Sequence, residues 1–414
     1  MTPERRVVIT GMGVISPVGN TVDGFFDALA AGRHGIAPVT RFDADNFKCK
    51  VAAEVKGFDP LLYMEKNDAR RSDLFTQYAV AAAVQAMAGS GLDKSSPYDP
   101  ERFGVYVGSG IGGFHTWFEE SRKLLEKGPN RVSPFFVPMM IGNIAAGSIA
   151  IRFAARGPCL PVVSACSTGA NAIGEAFRAI KHGYADAILA GGAEATIEPL
   201  GIAGFSACMA LTNSNDPDSA STPFDKRRSG FVMGEGSGVL VLEDYDSAVK
   251  RGARICAEIV GYGNTCDAHH ITAPHPEATG AAACVRLAMD EAGLTGAETL
   301  YINAHGTSTP LNDKTETLAF HKAFGHNVNG VLISSTKSMT GHMLGAAGSV
   351  EAIVCVKALQ TGIVPPTAGY REPDPECDLN YVPNQSVTAG LDAALSTSFG
   401  FGGHNACLAF RPIA

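Results

Sequence analysis

Three side chains in this sequence have the type and the local setting to do covalent chemistry together: Cys166, His305 and His342. Cys166 lies in Pro-Val-Val-Ser-Ala-Cys-Ser-Thr-Gly-Ala-Asn (161–171), which reads as a buried strand turning sharply into a helix. Small residues flank the thiol on both sides, as a nucleophile elbow requires, because larger neighbours block substrate. A cysteine at a helix N-terminus meets unpaired N–H groups and the positive end of the helix dipole. Both favour the thiolate and can hold a developing oxyanion. By default such a cysteine is a small core residue; the strand-turn-helix setting separates this one from the other nine. His305, in Asn-Ala-His-Gly-Thr-Ser-Thr-Pro (303–310), and His342, closing Ser-Ser-Thr-Lys-Ser-Met-Thr-Gly-His (334–342), each fall at a turn that ends a strand. A lone histidine is most often a hydrogen-bonded structural residue, but a cysteine with two histidines at strand ends supplies the parts of thioester chemistry.

The elements that must hold these groups follow from the hydrophobic pattern. Short β-branched or small-residue apolar runs ending in tight turns recur at 7–10, 105–107, 187–190 and 331–333, and helical periodicity covers 76–88, 171–181, 281–292 and 348–359. Strands alternating with helices predict an α/β layered protein. In the helix after Cys166, apolar residues at Ala170, Ile173, Phe177 and Ile180 predict one inward face, and Lys181, His182 and Gly183 form its C-terminal stop. No Pro-, Gly- or Ser-rich linker divides the chain. The charged stretch 244–254 reads as one helix, with a boundary near Arg254 between two similar halves, 1–254 and 255–414.

Composition narrows the function classes. With 414 residues, 45% hydrophobic, 18% charged and 47 glycines, the chain has a large core crossed by tight turns and is not globally disordered. Apolar runs such as 239–242 are far short of the roughly 20 residues a membrane span needs. Residues 1–6 lead directly into a strand-like run with no apolar signal region, so the chain is expected to be cytoplasmic or already processed. The ten cysteines lie singly, without a Cys-x-x-Cys pair, which argues for buried thiols over a disulfide framework or a zinc ribbon. A net charge of −8 argues against nucleic acid as a bulk partner.

Four ordered motifs then carry a resemblance: 164–169 (Ser-Ala-Cys-Ser-Thr-Gly), 303–310, 337–348 and the tail Ser-Phe-Gly-Phe-Gly-Gly (398–403). Together they resemble the β-ketoacyl-acyl-carrier-protein synthases, most of all the type II elongating enzymes, from Val-Ile-Thr-Gly-Met-Gly (8–13) to Asn405. The resemblance implies a thiolase-like α/β fold, a five-layered α-β-α-β-α sandwich of two similar halves with mixed sheets, and a homodimer. It implies that Cys166 takes an acyl chain from acyl carrier protein. His305 and His342, as neutral imidazoles, would then support decarboxylation of malonyl-acyl carrier protein and formation of a 3-oxoacyl product two carbons longer. An enolate oxygen needs N–H donors aimed at it, which two imidazoles supply without a metal. Lys337 would orient the constellation with Glu316 as its ion partner. The amides of Cys166 and Phe401 would form the oxyanion hole, and Phe399 and Phe401 an aromatic gate. Thr307 and Thr309 would hydrogen-bond the phosphopantetheine arm, which arrives on the carrier, so no cofactor is required. Ile111 and Phe205 would wall the acyl pocket. Arg70, Arg71 and Arg131 would dock the acidic carrier, while Met209, where some relatives have arginine, and Asn130 are uncharged. His404 replaces a threonine common after the paired glycines and adds a titratable group near the gate. A monovalent cation site is implied at Asn303, Glu351, Ser396 and Thr397.

Other readings stay in play. Residues 107–113 match Gly-x-Gly-x-x-Gly, but no acidic residue follows at the spacing that reads a ribose. Cys266, His269, His270 and His275 form a compact set without ordinary zinc spacing. A polyketide-type ketosynthase, a thiolase-like acyltransferase and a non-enzymatic partner subunit share the implied fold. Cys166 argues against the last of these. The pair of histidines favours decarboxylative condensation over a thiolase or a coenzyme A-dependent initiating synthase.

Overall fold

In the computed structural model, residues 5–92 and 99–413 are described, and the opening residues 1–4 of the sequence reading lie outside them. The strands that build the main sheet are β1 (Val7–Ile15), β2 (Phe103–Gly108), β3 (Ala187–Glu194), β4 (Gly236–Asp244), β5 (Ala257–Cys266), β6 (Leu300–Asn303), β7 (Leu332–Ser334), β8 (Ala393–Gly400) and β9 (His404–Arg411). The helices that matter for the site are α1 (Leu74–Ser90), α2 (Thr168–Lys181), α3 (Thr279–Ala292), α4 (Pro310–Phe324) and α5 (Ala347–Thr361).

The spatial order β2-β3-β4-β1-β5-β9-β8-β6-β7 hides a repeat. In the first half β1 pairs antiparallel with β4, β4 antiparallel with β3, and β3 parallel with β2. In the second, β5 pairs antiparallel with β9, β9 antiparallel with β8, and β8 parallel with β6. The series ends at β7, parallel to β6; at the matching place in the first half residues 158–160 run parallel to β2, with Val105 N–H bonded to Pro158 O and Leu160 N–H to Val105 O. The two layers join where Val7–Ile9 of β1 pairs with residues 257–259 of β5. This is the expected thiolase-like α/β sandwich of two similar halves, with the added finding that the two sheets are continuous through one short pairing.

Helices α2 and α5 sit between the halves. Each buries eleven residues, nearly its whole circumference, because each is covered on both sides by sheet. The single inward face predicted for α2 is therefore an underestimate; its small residues suit a helix with no solvent side. Gly169 of α2 and Gly348 of α5 make this possible, since a Cβ at either would lie 2.8 Å or 2.7 Å from the backbone nitrogen of Ser349 or Ala170 on the other helix. α1 covers the first sheet from outside, and α3 with α4 covers the second. The helix expected over 244–254 is confined to Tyr245–Lys250, N-capped by Asp244. Among the described residues, no helix is long and apolar enough to cross a membrane.

Candidate active site

Cys166 stands where the first half turns into the central layer. Ala165 adopts the left-handed conformation, φ 51°, so Ala165–Ser167 closes as one 3-10 turn directly before α2. The strand expected before it does not form. Pro158 and Pro161 have no N–H to donate to a ladder, and Leu160 and Val163 are 50% and 59% exposed. The turn is held from the other half instead: Tyr262 OH of β5 donates to Asn171 (2.7 Å), and Asn171 donates to the Ser164 hydroxyl (2.6 Å).

The β8–β9 hairpin closes over the thiol. Gly402 and Gly403 turn it at φ 84° and 76°. The hydroxyl of Ser167 faces two carbonyls on its two arms, Ser398 O at 3.0 Å and His404 O at 2.8 Å. Gly400 must lack a side chain, since a Cβ there would lie 2.8 Å from Ser164 O and 3.1 Å from Cys166 N. This close approach sets the amide of Phe401 on the side of the sulfur, where it and the amide of Cys166 itself favour the thiolate. Burial, helped by Glu194, pushes the thiol up to about 11 against the downward pull of Lys337 and the two amides. The acidified thiol expected from the helix terminus is thus overridden, because removing a thiolate from water costs more than these groups return.

His305 follows β6 by two residues. Its amide and that of Gly306 donate to Glu316, at 2.8 and 2.7 Å, and Thr397 OH donates to the same carboxylate at 2.8 Å. His342 does not end a strand directly: after β7 come a single helical turn, Lys337–Thr340, and Gly341 at φ 64°. His342 is fixed by backbone bonds to residues 232 and 234. The two rings meet edge to face with centroids 5.3 Å apart, and Phe231 and Phe399 pack edge-on at 5.0 Å from His342 and 5.9 Å from His305. Burial, then Lys337, holds both imidazoles well below their usual range, and His342 lowers His305 further. At neutral pH both are uncharged.

Lys337 is buried, and its ion partner is Glu351 of α5 (2.5 Å), not Glu316 as expected. The physical reason is donor supply: Glu316 is already filled by two backbone amides and a hydroxyl, whereas Glu351 has no other partner for its charge among the described residues. Burial pushes Glu316 up to about 7.

One cavity of about 360 Å³ lies in front of the thiol, and Lys337 and Glu351 are buried behind its lining residues rather than among them. Cys166, His305 and His342 share it with Thr307, Thr309, Phe205, Phe399 and Phe401. Thr307 and Thr309 hydroxyls are 2.9 Å apart, and Thr309 also caps α4. Ile111 does not line this cavity. The amides of Gly110 and Ile111 are pinned to Glu194, and the Ile111 side chain is left 44% exposed. Arg70, Arg71 and Arg131 are exposed and outside the lining, with Arg71 over the Phe135 ring at 4.7 Å. At the expected cation site, Asn303 Oδ1, Glu351 Oε2 and Ser396 Oγ are buried without hydrogen-bond partners, while the Thr397 hydroxyl is engaged with Glu316 and His305. His270 and His275 accept amides of their own loop, and among the described residues no three His, Cys, Asp or Glu side chains converge as metal ligands. Phe231, Glu194 and the pairing role of Glu351 were not found from sequence; Phe231 and Glu194 act on residues more than a hundred positions away, and nothing local marks Glu351 as the partner of Lys337.

Two family signatures match: Beta-ketoacyl synthase, N-terminal domain, over residues 4–248, and Beta-ketoacyl synthase, C-terminal domain, over residues 256–371. The chain belongs to the β-ketoacyl synthase family. It is 50% identical to the 3-oxoacyl-[acyl-carrier-protein] synthase 2 of Synechocystis over 99% of this chain and 98% of that one. It is 48% identical to the protein of the same name from Staphylococcus aureus, over 99% of both. Among solved ketosynthases, it superposes on the ishigamide ketosynthase/chain length factor with TM-score 0.93 at 38% identity, covering 99% of this chain and 100% of that chain. A ketosynthase structure containing a type II polyketide acyl-carrier protein matches with TM-score 0.91 at 33% identity, with the same coverage.

Proposed function

We propose that this β-ketoacyl synthase elongates acyl chains in fatty acid synthesis by decarboxylative condensation. The observation that carries the reading is the sulfur of Cys166 under two amide donors, in one cavity with two neutral imidazoles. An acyl thioester places its carbonyl oxygen at the Cys166 and Phe401 amides. The thiol attacks, its proton passes through a neutral imidazole to the departing carrier thiolate, and the acyl group remains on Cys166. In the second half-reaction the C–C bond to the malonyl carboxylate breaks, releasing CO2, and its electron pair forms an enolate whose oxygen is held by N–H groups of His305 and His342. The enolate carbon attacks the acyl-enzyme carbonyl, Cys166 leaves as thiolate and takes up one proton, and the 3-oxoacyl chain stays on the carrier.

Thr307 and Thr309 hold the pantetheine arm that the carrier brings, Phe399 and Phe401 gate the cavity, and Phe205 walls it; no resident cofactor takes part. Arg70, Arg71 and Arg131 steer an acidic carrier protein to the surface. The unpartnered oxygens of Asn303, Glu351 and Ser396 are of the type that ligates a monovalent cation, which would satisfy them there. We divide the chain at 254/255, the first half carrying the nucleophile and the second both histidines, and assign it to the cytoplasm with its carrier. A homodimer would cover the exposed edge at Leu160 and Val163 together with Ile151, which is 83% exposed.

The test is intact-protein mass spectrometry after mixing with acyl-acyl carrier protein, with wild type and Cys166→Ala, followed by malonyl-acyl carrier protein. An adduct on wild type alone, discharged as 3-oxoacyl product with CO2, is expected. Acylation without product would remove the roles of His305 and His342 and favour a thiolase-like transferase; no adduct at all would favour a partner subunit. Repeated elongation without reduction of the 3-oxo groups would place the enzyme with polyketide-type ketosynthases.

A further inference from the structure

The backbone of the Cys166 elbow occurs twice. In the second half Leu344 takes the left-handed conformation, φ 48°, and Leu344–Ala346 closes one 3-10 turn directly before α5, as Ala165–Ser167 does before α2. Gly345 therefore stands where Cys166 stands. At the first elbow the amide of the middle residue faces the sulfur and the space an oxyanion would use. At the second, the Gly345 amide donates to a carboxylate, Glu194 Oε2, at 3.0 Å.

Glu194 ends β3 and is completely buried. Its two oxygens collect four donors: the Ser109 hydroxyl (2.9 Å) and Ile111 amide (3.3 Å) on one, and the Gly110 (2.9 Å) and Gly345 amides on the other. All four are donors that a carboxylate satisfies and an apolar side chain would orphan. The junction has no slack, since a Cβ on Gly110 would lie 2.8 Å from Glu194 Oε2, and one on Gly345 2.5 Å from Gly110 N. Gly345 lies three residues after His342, and residues 109–111 lie beside the elbow carbonyl of Ala165, 3.5 Å from a Cβ on Gly110. Burial pushes Glu194 up to about 7, while the four donors pull it down, and its field reaches Cys166.

We propose that Glu194 is a built-in anion occupying the oxyanion position of the silent second elbow, and a positioning residue that locks the histidine-bearing segment against the nucleophile-bearing half. The functional consequence rests on the condensing reading above; the anion site itself does not. Three consequences distinguish this from general core packing. Glu194→Ala opens a hole with the shape and donors for a small carboxylate. Glu194→Gln keeps the volume but turns an NH2 toward two of the donors. Acyl-carrier affinity should be unaffected by either, because no carrier-facing group moves.

The experiment uses the full-length purified protein, the two variants, and sodium formate against sodium chloride at equal ionic strength. Formate is expected to raise the melting temperature of Glu194→Ala and leave wild type unmoved. Condensation by Glu194→Ala should fall at least tenfold in kcat with KM for the acyl carrier unchanged, and formate should restore severalfold; Glu194→Gln should lose kcat and gain nothing from formate. Absence of a formate-specific thermal shift in a folded Glu194→Ala would overturn the anion site. If that variant does not fold, parental kcat and stability in Glu194→Gln would overturn it. A formate shift with parental kcat would overturn the positioning role alone. An inactive wild type would count against the condensing reading and leave the thermal result standing.

Discussion

Cys166 and Gly345 occupy one place in two copies of the same turn, and the differences between them separate what the fold needs from what the chemistry needs. Both turns open with a non-glycine residue in the left-handed region and both launch a buried central helix. In the first, the middle residue carries a thiol, the next carries the Ser167 hydroxyl, and the space in front is roofed by the Phe399–Phe401 hairpin with a cavity beyond. In the second, the middle residue has no side chain, the next is Ala346, and Glu194 fills the space. A sharp turn into a dipole-bearing helix is thus a structural device. It becomes a nucleophile site only where the anion hole is left open and cavity groups face it.

The largest expected effect comes from exchanging the two middle residues. Cys166→Ala should abolish the acyl-enzyme and lower condensation by about 10³-fold or more, read by intact mass and product formation. Gly345→Cys should create no second acylation site. Its Cβ would lie 2.5 Å from Gly110 N and 2.8 Å from Glu194 Oε2, an overpacked position expected to cost about 1–3 kcal/mol in denaturant unfolding. An acyl adduct on the thiol introduced by Gly345→Cys would break the comparison.

The next largest belongs to the histidines, for which the silent elbow has no counterpart. His305→Ala or His342→Ala should each lower malonyl decarboxylation by about 10²–10³-fold, the usual worth of one donor to a developing oxyanion, while a stable acyl-enzyme still forms on Cys166. Because burial lowers both imidazoles well below 6.5, they gain protons only in acid. The imidazoles themselves should therefore leave decarboxylation flat as pH falls from 8 to 6 and weaken it only below that. Glu316 and Glu194, both held up at about 7, titrate inside this window, so a decline starting near 7 that persists in Glu316→Gln and Glu194→Gln would contradict neutral, buried donors.

How much of this was readable beforehand differs by range along the chain. The helices around 76–88, 171–181, 281–292 and 348–359 and the cysteine and histidine turns were legible because their signals are local: periodicity, small-residue elbows, and a glycine beside each histidine. The α/β class followed from the same patterns, and the sandwich of two halves from the family resemblance. The repeat itself was invisible, since it lives in pairing sense and turn geometry, with Cys166 answering to Gly345 and Ser167 to Ala346. Lys337 was assigned Glu316 from the resemblance when its partner is Glu351, because sequence does not show which acids are already satisfied by backbone amides. The same blindness placed Ile111 in the pocket and made residues 161–163 a buried strand.

That corrected pair gives the third prediction. Lys337→Met leaves Glu351 buried without its cation and should cost about 3–5 kcal/mol of stability; adding Glu351→Gln should recover most of it. Burial holds the Cys166 thiol up at about 11 even against the downward pull of Lys337. Alkylation of Cys166 by iodoacetamide, followed on its own peptide, should thus rise about tenfold per pH unit between 7 and 10, and be slower at each pH in the double variant than in wild type. A double variant as reactive as wild type would detach the lysine from the nucleophile and leave it a purely structural ion pair.

The smallest expected effect tests whether the second difference between the elbows, Ser167 against Ala346, matters. The Ser167 hydroxyl has one proton and two acceptors, Ser398 O and His404 O, on opposite arms of the hairpin that carries the Phe401 amide. Only one bond can be donated at a time, so the contact holds the hairpin in register and still lets either arm go. Ser167→Ala reproduces the silent elbow and removes one hydrogen bond worth about 1 kcal/mol. If the bond is felt in the acylation transition state, kcat should fall about fivefold. KM for the acyl carrier should hold, and amide exchange in peptides spanning 398–404 should quicken while that of α2 does not. Faster exchange with unchanged kcat would mean the hairpin finds its register from Gly400 and the β8–β9 pairing alone. Unchanged exchange would mean the hydroxyl is a bystander, leaving the open anion hole and the cavity as the differences that make the first elbow the chemical one.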